Sequence, residues 1–223
     1  IGWKSVPGPE FGKLLEEHLR AYAGDVVVIK FDKVSKINKL NKEFEMRTES
    51  GQIYSAKAVL IATGSARRKL EIPGAKEFDN KGISYCASCD GPLFAGQDVA
   101  VVGGGNAAFE TAAQLLSYAK SVTLLNRSDA FKADEVTVEK VLSHPNMKAI
   151  KNAVPKEIKG DKFVDAMIYH SEGVEHELKV RGIFVEVGLI PTTSFVKDLI
   201  PLNEIGQIPV DPKTQKTSVP GIW

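Results

Sequence analysis

The chain has 223 residues, of which 43% are hydrophobic, and its 29 Lys and Arg residues against 28 Asp and Glu residues give a net charge of +1. This length permits one or two domains with a buried core, and the balanced charge gives no basis for a nucleic-acid partner or a membrane surface. The longest apolar runs are far shorter than the roughly 20 residues of a membrane-spanning helix, and no charged leader followed by an apolar stretch opens the sequence, so we expect a cytoplasmic protein.

The first third of the sequence predicts one helix followed by strands. Apolar residues recur at helical spacing and predict a helix over residues 11–23, closed by Gly24. Apolar and β-branched runs predict strands over residues 26–31, 43–48, 52–55 and 58–62. Ser50-Gly51 predicts a hairpin turn between the middle two strands. Residues 65–84 are polar and loop-like, which is typical of a connection between domains.

From Gln97 onwards the pattern is that of a βαβ unit. It predicts a buried strand over residues 99–102, a helix over 106–119 and a second strand over 122–125. A further helix is predicted over residues 133–142. Shorter strands are predicted within residues 148–158, 163–169, 176–180 and 183–187. Strands that alternate with helices indicate an α/β fold.

Both cysteines of the chain, Cys86 and Cys89, stand in a C-x-x-C motif that is followed by Asp90-Gly91-Pro92. Such a pair can close to a reducible disulfide, which indicates redox chemistry. Half of a zinc site is one alternative, but zinc needs four ligands, the chain has no second cysteine pair, and the gap between His170 and His176 lies outside the usual spacing. We therefore expect no metal, and an inert buried thiol pair is the other alternative.

A glycine-rich turn, Gly103-Gly104-Gly105-Asn106-Ala107-Ala108, follows the first strand of the βαβ unit and opens its helix. This G-x-G-x-x-A pattern is typical of a dinucleotide site. Gly103 permits a tight turn, Gly105 lets the backbone approach the pyrophosphate, and Ala108 keeps the helix close to the sheet. A tight turn without a ligand is the alternative interpretation.

The end of the next strand discriminates between nucleotides. An NAD site usually has a carboxylate there for the ribose hydroxyls, whereas this chain has Asn126-Arg127-Ser128, with Lys132 shortly after. Two cations without a carboxylate favour the 2′-phosphate of NADPH. The alternative is that Arg127 and Lys132 are simply solvated charges.

With these motifs, the chain resembles the low-molecular-weight thioredoxin reductases and the related flavoprotein reductases of alkyl hydroperoxide reductase systems. The matching segments span essentially the whole chain: Ala62-Thr63-Gly64, Cys86-Ala87-Ser88-Cys89-Asp90-Gly91, Gly103-Gly104-Gly105-Asn106, Phe131-Lys132-Ala133 and Gly182-Ile183-Phe184-Val185. The resemblance implies an α/β fold in which a Rossmann-like nucleotide-binding domain is inserted in a split, here incomplete, FAD-binding domain. Residues 1–69 and 183–223 would form the partial FAD-binding domain, and residues 70–182 the NADPH-binding domain that carries the redox cysteines.

The resemblance also implies FAD and NADPH as cofactors. The residues that match contacts of the family are Val34, Ala62, Thr63 and Gly64 for FAD, and Gly103, Gly105, Asn106, Ala107, Arg127 and Lys132 for NADPH. Ser128 stands where the family has another arginine, and Lys132 replaces a further one. The family's first glycine-rich turn and its closing Gly-Asp segment do not occur in this sequence, so we expect both ends to be truncated and this chain alone not to retain FAD.

The same resemblance implies a path for electrons: NADPH reduces the flavin, the flavin reduces the Cys86–Cys89 disulfide, and the dithiol reduces thioredoxin or a thioredoxin-like protein. Cys89 would face the flavin, Cys86 would attack the partner, and Asp90 would exchange protons with the thiols. Alternatively, Asp90 only caps the Gly91-Pro92 turn. The two domains would rotate about their two connections, and the full-length protein would be a homodimer.

Two other functions fit parts of the sequence. An NADH-dependent reductase that serves a peroxiredoxin is favoured by Gly91-Pro92-Leu93-Phe94 and opposed by Asn126, where such relatives carry a carboxylate. A non-catalytic nucleotide-binding remnant is the second alternative, which the absence of the two FAD segments favours.

Overall fold

The computed structural model describes residues 5–23 and 26–223. The chain forms two compact units. The first comprises Ile1–Ile61, Thr193–Asn203 and Ile208–Trp223, and the second comprises Ala62–Thr192 and Glu204–Gln207. The main connections between the units therefore lie next to residues 61 and 192, whereas the predicted domain boundaries are at residues 69 and 183. The assignment of one cofactor to each domain remains a prediction.

The first unit combines one helix with a small antiparallel sheet. It contains helix α1, Gly8–Ala23, and strands β1, Val34–Leu40, β2, Glu43–Thr48, and β3, Ile53–Ala56. The strands pair in the order β1-β2-β3, and Gly51, with a φ of 85°, lies in the predicted turn between β2 and β3. The buried core of this unit consists of Ile37, Phe44, Val196, Ile200 and Ile222.

The helix predicted over residues 11–23 is confirmed, and its predicted closing residue, Gly24, lies outside the described residues. The strand predicted over residues 26–31 is wrong. This segment has no regular structure, and Val26 and Phe31 are each 90% exposed. A strand needs a neighbour to satisfy its backbone groups, and no strand in the described part of the chain pairs with this segment.

Two further differences concern strands of the first unit. The strand predicted over residues 58–62 is reduced to one parallel bridge between Val59 and Ile222. The amides of Val59 and Ile61 donate hydrogen bonds to Gly221 O and Trp223 O beside it. Strand β1 was not predicted, because polar residues dominate its sequence VSKINKL and only Ile37 is buried. Its pairing with β2 stabilises a segment whose own sequence gives a weak strand signal.

The second unit is an α/β structure. In chain order it contains β4 (Ser65–Arg67), β5 (Ile83–Ser84), α2 (Ala87–Asp90), a 3-10 helix (Gly91–Phe94), β6 (Asp98–Val102), α3 (Asn106–Leu115), β7 (Ser121–Leu125), α4 (Glu135–Leu142), β8 (Met147–Ile150), β9 (Val154–Gly160), β10 (Val164–Ser171), β11 (Val174–Lys179), β12 (Gly182–Val185) and β13 (Leu189–Pro191). Five strands form a parallel sheet in the order β5-β12-β6-β7-β8. Strands β9, β10 and β11 form an antiparallel sheet, and β4 pairs with β13. The predicted βαβ unit is confirmed as β6, α3 and β7, although α3 ends at Leu115 rather than at residue 119.

The parallel sheet is covered on both faces. Val99 and Val101 of β6 lie in the buried cluster that includes α3, whereas Ala100 and Val102 lie in the cluster that includes Met167 of β10. Successive residues of a strand point to opposite faces, so burial of both faces explains why β6 is an uninterrupted apolar run. The predicted α/β fold of the FAD/NAD(P)-binding type is confirmed.

The candidate site lies at one edge of this parallel sheet. All five strands run in the same direction, so the segments that follow β5, β12, β6 and β7 emerge at a common carboxyl edge, which is where open α/β sheets bind their ligands. Within residues 5–23 and 26–223, no helix combines the length and apolar character needed to cross a bilayer.

Candidate redox and nucleotide site

Cys86 and Cys89 lie in the segment that follows β5 and are joined by a disulfide. Cys86 caps the N-terminus of α2, and the amide of Cys89 donates a hydrogen bond of 3.2 Å to Cys86 Sγ. Cys86 is half-buried, whereas Cys89 is exposed. A donor aimed at a sulfur favours its negatively charged form. On reduction, Cys86 is therefore the better supported of the two as a thiolate.

Asp90 is held by a serine and not by the turn that follows it. Ser84 Oγ donates a hydrogen bond of 2.6 Å to Asp90 Oδ2, and the amide of Cys86 donates one of 3.1 Å to Ser84 Oγ. The Asp90 side chain accepts no capping hydrogen bond from the 3-10 helix Gly91–Phe94. The alternative in which Asp90 only caps this turn is therefore wrong, because its carboxylate is directed to Ser84. Sequence analysis missed Ser84, which stood at the end of a predicted loop.

Tyr85 lies between Ser84 and the first cysteine and stays neutral. Partial burial and the negative charge of Asp79 raise the pKa of Tyr85 to about 12. Asp79 in turn forms an ion pair with Lys69, whose Nζ lies 5.8 Å from the centre of the Tyr85 ring. Tyr85 is thus no proton acceptor at neutral pH, and its ring packs against the buried cluster that includes Met167.

The glycine turn between β6 and α3 is tight on one side and open on the other. Gly103 has a φ of 149°, and a Cβ there would lie 2.4 Å from Glu186 O. A Cβ at Gly104 would lie 2.1 Å from Asn126 Oδ1. Gly105, by contrast, has no atom within 4 Å of its Cβ position and provides no side-chain cap for α3. An open helix N-terminus with uncapped amides fits the pyrophosphate of a dinucleotide.

Glu186 brings a carboxylate to the same edge, directly after β12. Its Oε1 accepts a hydrogen bond of 2.9 Å from Thr111 Oγ1 of α3, and its Oε2 accepts one of 3.1 Å from Arg67 Nη1. Its side chain is only 8% exposed, so the solvent screens these bonds weakly. Glu186 thus connects α3 with the strand beside it. Nothing in the sequence distinguished it from an ordinary surface glutamate.

Asn126 organises the loop that follows β7. Its side chain is buried, and Nδ2 donates hydrogen bonds to the carbonyls of Ser128, at 3.0 Å, and Ala130, at 2.9 Å. The amide of Lys132 donates a bond of 2.7 Å to Gly104 O, which ties the loop to the glycine turn. A carboxylate has no proton for these bonds when it is ionised. The present shape of the loop therefore requires the side-chain amide of Asn126.

Four of the residues predicted to bind the nucleotide are exposed, two at the start of α3 and two in the loop after β7: Asn106, Ala107, Arg127 and Lys132. The Oδ1 of Asn106 accepts a hydrogen bond of 2.8 Å from the amide of Asp134. Within the part of the chain that the structure describes, neither Arg127 nor Lys132 forms an ion pair. Both cations are thus available to an anionic ligand.

A third cation, Lys151, borders the same loop. The amide of the next residue, Asn152, donates a hydrogen bond of 3.1 Å to Ser128 O. The Nζ of Lys151 lies 4.9 Å from the centre of the Phe131 ring, a cation–π distance. Sequence analysis missed Lys151, because β8 separates it from the glycine motif and only the strand pairing brings it near.

The residues predicted to contact FAD lie in both units. Val34 begins β1 and packs, half-buried, against the core of the first unit. Ala62, Thr63 and Gly64 form an exposed irregular segment of the second unit, where Thr63 Oγ1 donates a hydrogen bond of 2.7 Å to Thr192 O. Their contact with FAD remains a prediction.

A disulfide and a dinucleotide-type turn at one edge of a parallel sheet define a nucleotide-dependent disulfide oxidoreductase. A family model described as pyridine nucleotide-disulphide oxidoreductase matches residues 4–223. The chain belongs to this family. The name of this family refers to a pyridine nucleotide and a disulphide as the reacting groups.

Two solved structures show which oxidoreductases of this family the chain is similar to. A thioredoxin reductase from Lactococcus lactis has a TM-score of 0.76 and 35% identity, over 100% of this chain and 73% of that one. The thioredoxin reductase of T. acidophilum has a TM-score of 0.74 and 37% identity, over 100% of this chain and 73% of that one. These matches confirm the resemblance to low-molecular-weight thioredoxin reductases.

Curated relatives carry other names. An NADH dehydrogenase of Bacillus subtilis (strain 168) is 40% identical over 100% of this chain. The F component of alkyl hydroperoxide reductase from Staphylococcus aureus (strain MRSA252) is 39% identical over 99% of it. The chain spans 43% of the length of both relatives.

Proposed function

We propose that this chain is the dithiol- and nucleotide-binding part of an NADPH-dependent, FAD-containing disulfide reductase that reduces thioredoxin or a thioredoxin-like protein. The observation that carries the proposal is the common carboxyl edge of one parallel sheet, which bears the Cys86–Cys89 disulfide after β5 and the open glycine turn after β6. The thioredoxin reductases among the structural relatives support the choice of partner. We expect the whole protein to be a cytoplasmic homodimer.

The proposed reaction exchanges one disulfide for another. Cys86 attacks a disulfide sulfur of the partner as a thiolate, one partner thiolate leaves and takes up a proton, and Cys89 then attacks Cys86 Sγ and releases the second partner thiol. The two cysteines lose two electrons and the partner disulfide gains them. Asp90 is the proposed proton carrier for these thiols. Bound NADPH and FAD would supply the electrons that restore the dithiol.

Residues of this chain would hold both cofactors. The amides at the start of α3 and the backbone at Gly105 would receive the pyrophosphate of NADPH, and Arg127 and Lys132 its 2′-phosphate. Val34 and the segment Ala62-Thr63-Gly64 are the proposed contacts of FAD. The exposure of both cations and the open space at Gly105 support the nucleotide part of this proposal.

The alternative function is an NADH-dependent reductase of a peroxiredoxin system. The alkyl hydroperoxide reductase relative at 39% identity favours it. The bonds from Asn126 to two loop carbonyls count against a carboxylate in that place, and hence against the usual NADH site. A non-catalytic nucleotide-binding remnant would bind nucleotide without exchanging thiols.

A trapping experiment tests the proposed function. The Cys89→Ser chain, with Cys86 as its single cysteine, is mixed with a single-cysteine thioredoxin activated as an aromatic mixed disulfide. We expect a Cys86–thioredoxin conjugate on a non-reducing gel, formed about tenfold faster than with the Cys86→Ser chain, because only Cys86 has an amide donor at its sulfur.

Glutathione activated in the same way is the control for chemical reactivity alone. Conjugation with thioredoxin should be the faster of the two for the Cys89→Ser chain. Faster trapping by the Cys86→Ser chain would reverse the two cysteine roles. Equal rates with thioredoxin and glutathione for both chains would contradict the proposed partner.

A further inference from the structure

Ser84 joins the redox cysteines to the carboxylate beside them. It is the last residue of β5, is 4% exposed, and is fixed by the pairing of β5 with β12. Its oxygen accepts the bond from the Cys86 amide at 3.1 Å, so the single hydroxyl proton is left to be donated. Two acceptors lie near Ser84 Oγ: Asp90 Oδ2 at 2.6 Å and Cys86 O at 3.5 Å. The shorter distance assigns the proton to Asp90.

The carboxylate of Asp90 has little else to orient it. Among the residues that the structure describes, no lysine, arginine or histidine forms an ion pair with Asp90. Its side chain accepts no capping hydrogen bond from the 3-10 helix that follows. The Ser84 hydroxyl is therefore the group that sets the direction of this carboxylate relative to Cys86.

We infer that Ser84 is a positioning residue for the thiol–disulfide exchange, an inference that rests on the proposed function. Ser84 holds one carboxylate oxygen of Asp90, so that the other oxygen faces the thiols. That other oxygen takes up a proton from the solvent. When Cys86 Sγ bonds to one sulfur of a substrate disulfide and the sulfur–sulfur bond breaks, this proton passes from Asp90 to the departing thiolate, and Asp90 is left ionised. Without the hydroxyl, the carboxyl group rotates and this transfer slows.

The test uses the 223-residue chain itself, reduced with a soluble dithiol that is then removed. The rates at which it reduces hydroxyethyl disulfide and an aromatic nitrobenzoate disulfide are measured from pH 6 to pH 9. An aliphatic thiolate needs a proton to leave, whereas the aromatic thiolate leaves without one. The ratio of the two rates therefore reports proton donation separately from the attack by Cys86.

We expect Ser84→Ala to lower the aliphatic rate about tenfold at neutral pH and to change the aromatic rate by less than about twofold, so that the ratio falls. Ser84→Thr, which keeps a hydroxyl, should restore the ratio. In a chain that already carries Asp90→Asn, adding Ser84→Ala should cause no further fall, because the two residues act as one unit.

Ser121→Ala is the matched control. Ser121 Oγ donates a bond of the same 2.6 Å length to Asp98 Oδ1, at the opposite edge of the same sheet, and we expect its loss to leave the ratio unchanged. If Ser84→Ala does not fold, Ser84→Val and Ser84→Thr repeat the comparison, because these two side chains are nearly equal in shape and differ in the hydroxyl.

The outcomes separate this inference from the proposed function. A ratio that falls in Asp90→Asn but not in Ser84→Ala overturns the role of Ser84 and leaves the proposed function intact. A fall of both rates by the same factor in Ser84→Ala also overturns it, because that result describes a structural residue. A reduced wild-type chain that reduces neither disulfide overturns both.

Discussion

Two hydroxyl–carboxylate pairs at opposite edges of the parallel sheet have the same bond length and different surroundings. At the amino edge, Asp98 accepts a hydrogen bond of 2.6 Å from Ser121 Oγ and another of 3.1 Å from Lys120 Nζ. These two donors, the hydroxyl first, lower the pKa of Asp98 below its ordinary value of 3.8. At the carboxyl edge, Asp90 accepts a hydrogen bond of 2.6 Å from Ser84 Oγ and forms no ion pair with any of the described residues. The two carboxylates therefore share a serine donor and differ in the lysine beside one of them.

The arginines of the two edges differ in the same way. Arg181 enters β12 at the amino edge, donates its amide to Asp98 O at 2.9 Å and forms an ion pair with Asp165. Arg127 leaves β7 at the carboxyl edge and has no acidic partner in the described residues. The charge of Arg181 is thus compensated, whereas that of Arg127 is available to an anionic ligand. Substitutions of the same type at the two edges therefore test this difference.

The largest effect is expected at Arg127. Arg127→Ala removes a charge-assisted contact to the 2′-phosphate, so NADPH should bind this chain roughly ten- to a hundredfold more weakly, with NADH unchanged, in calorimetric titrations. Arg181→Ala, the same change at the amino edge, should alter neither affinity. Equal weakening of both nucleotides by Arg127→Ala would sink the assignment of the phosphate.

Asn126→Asp should have an intermediate effect. The change replaces a donor to two loop carbonyls with a charge that repels them, so the free energy of unfolding should fall by about 1–3 kcal/mol at neutral pH. NADPH affinity should fall as well, since the loop carries Arg127. Denaturant unfolding provides the measurement. Asn146→Asp, on an exposed side chain before β8, is the control and should change the free energy by less than about 0.5 kcal/mol. Equal losses in the two variants would contradict the role of Asn126.

Ser121→Ala should have the smallest effect and a defined pH dependence. Because the pKa of Asp98 is lowered in the folded chain, the pair stabilises the fold above the ordinary value of 3.8, and that stabilisation is lost as the pH falls through the lower folded pKa. The variant should lose about 1 kcal/mol or less at pH 7, since the site is partly exposed, and less still near pH 2. Urea unfolding at both pH values measures this, and an equal loss at both would show that the bond does not depend on the charge.

Local patterns in the sequence were enough for one part of the site. The strand β6, the turn at Gly103 and the start of α3 lie within a few residues, and both cysteines lie in one turn, so pattern and chemistry coincide there. Pairings between distant segments were not visible. Residues 26–31 have a strand composition but no strand partner in the described part of the chain, and the two residues of β5 pair with Ile183 and Phe184 of β12.

The same limit applies to individual side chains. The sequence analysis correctly placed Arg127 and Lys132 after β7, because their position relative to a predicted strand can be read from the sequence alone. It did not predict that Asn126 holds their loop, or that Ser84 holds Asp90, because both depend on where a hydrogen bond points after the chain has turned. In a tight turn, residues that are only a few positions apart come into contact, and the periodic pattern of apolar residues does not reveal such contacts.

The disulfide closes a loop with a sequence separation of only 3. A cross-link over so few residues removes little freedom from the unfolded chain, about 2 kcal/mol in the loop-entropy description, against roughly 4.7 kcal/mol for a loop of 100 residues. Oxidation and reduction therefore change the free energy of unfolding less than a long-range bridge would. The second unit therefore depends on the packing of its parallel sheet, and little on the sulfur bond, to stay folded in both redox states.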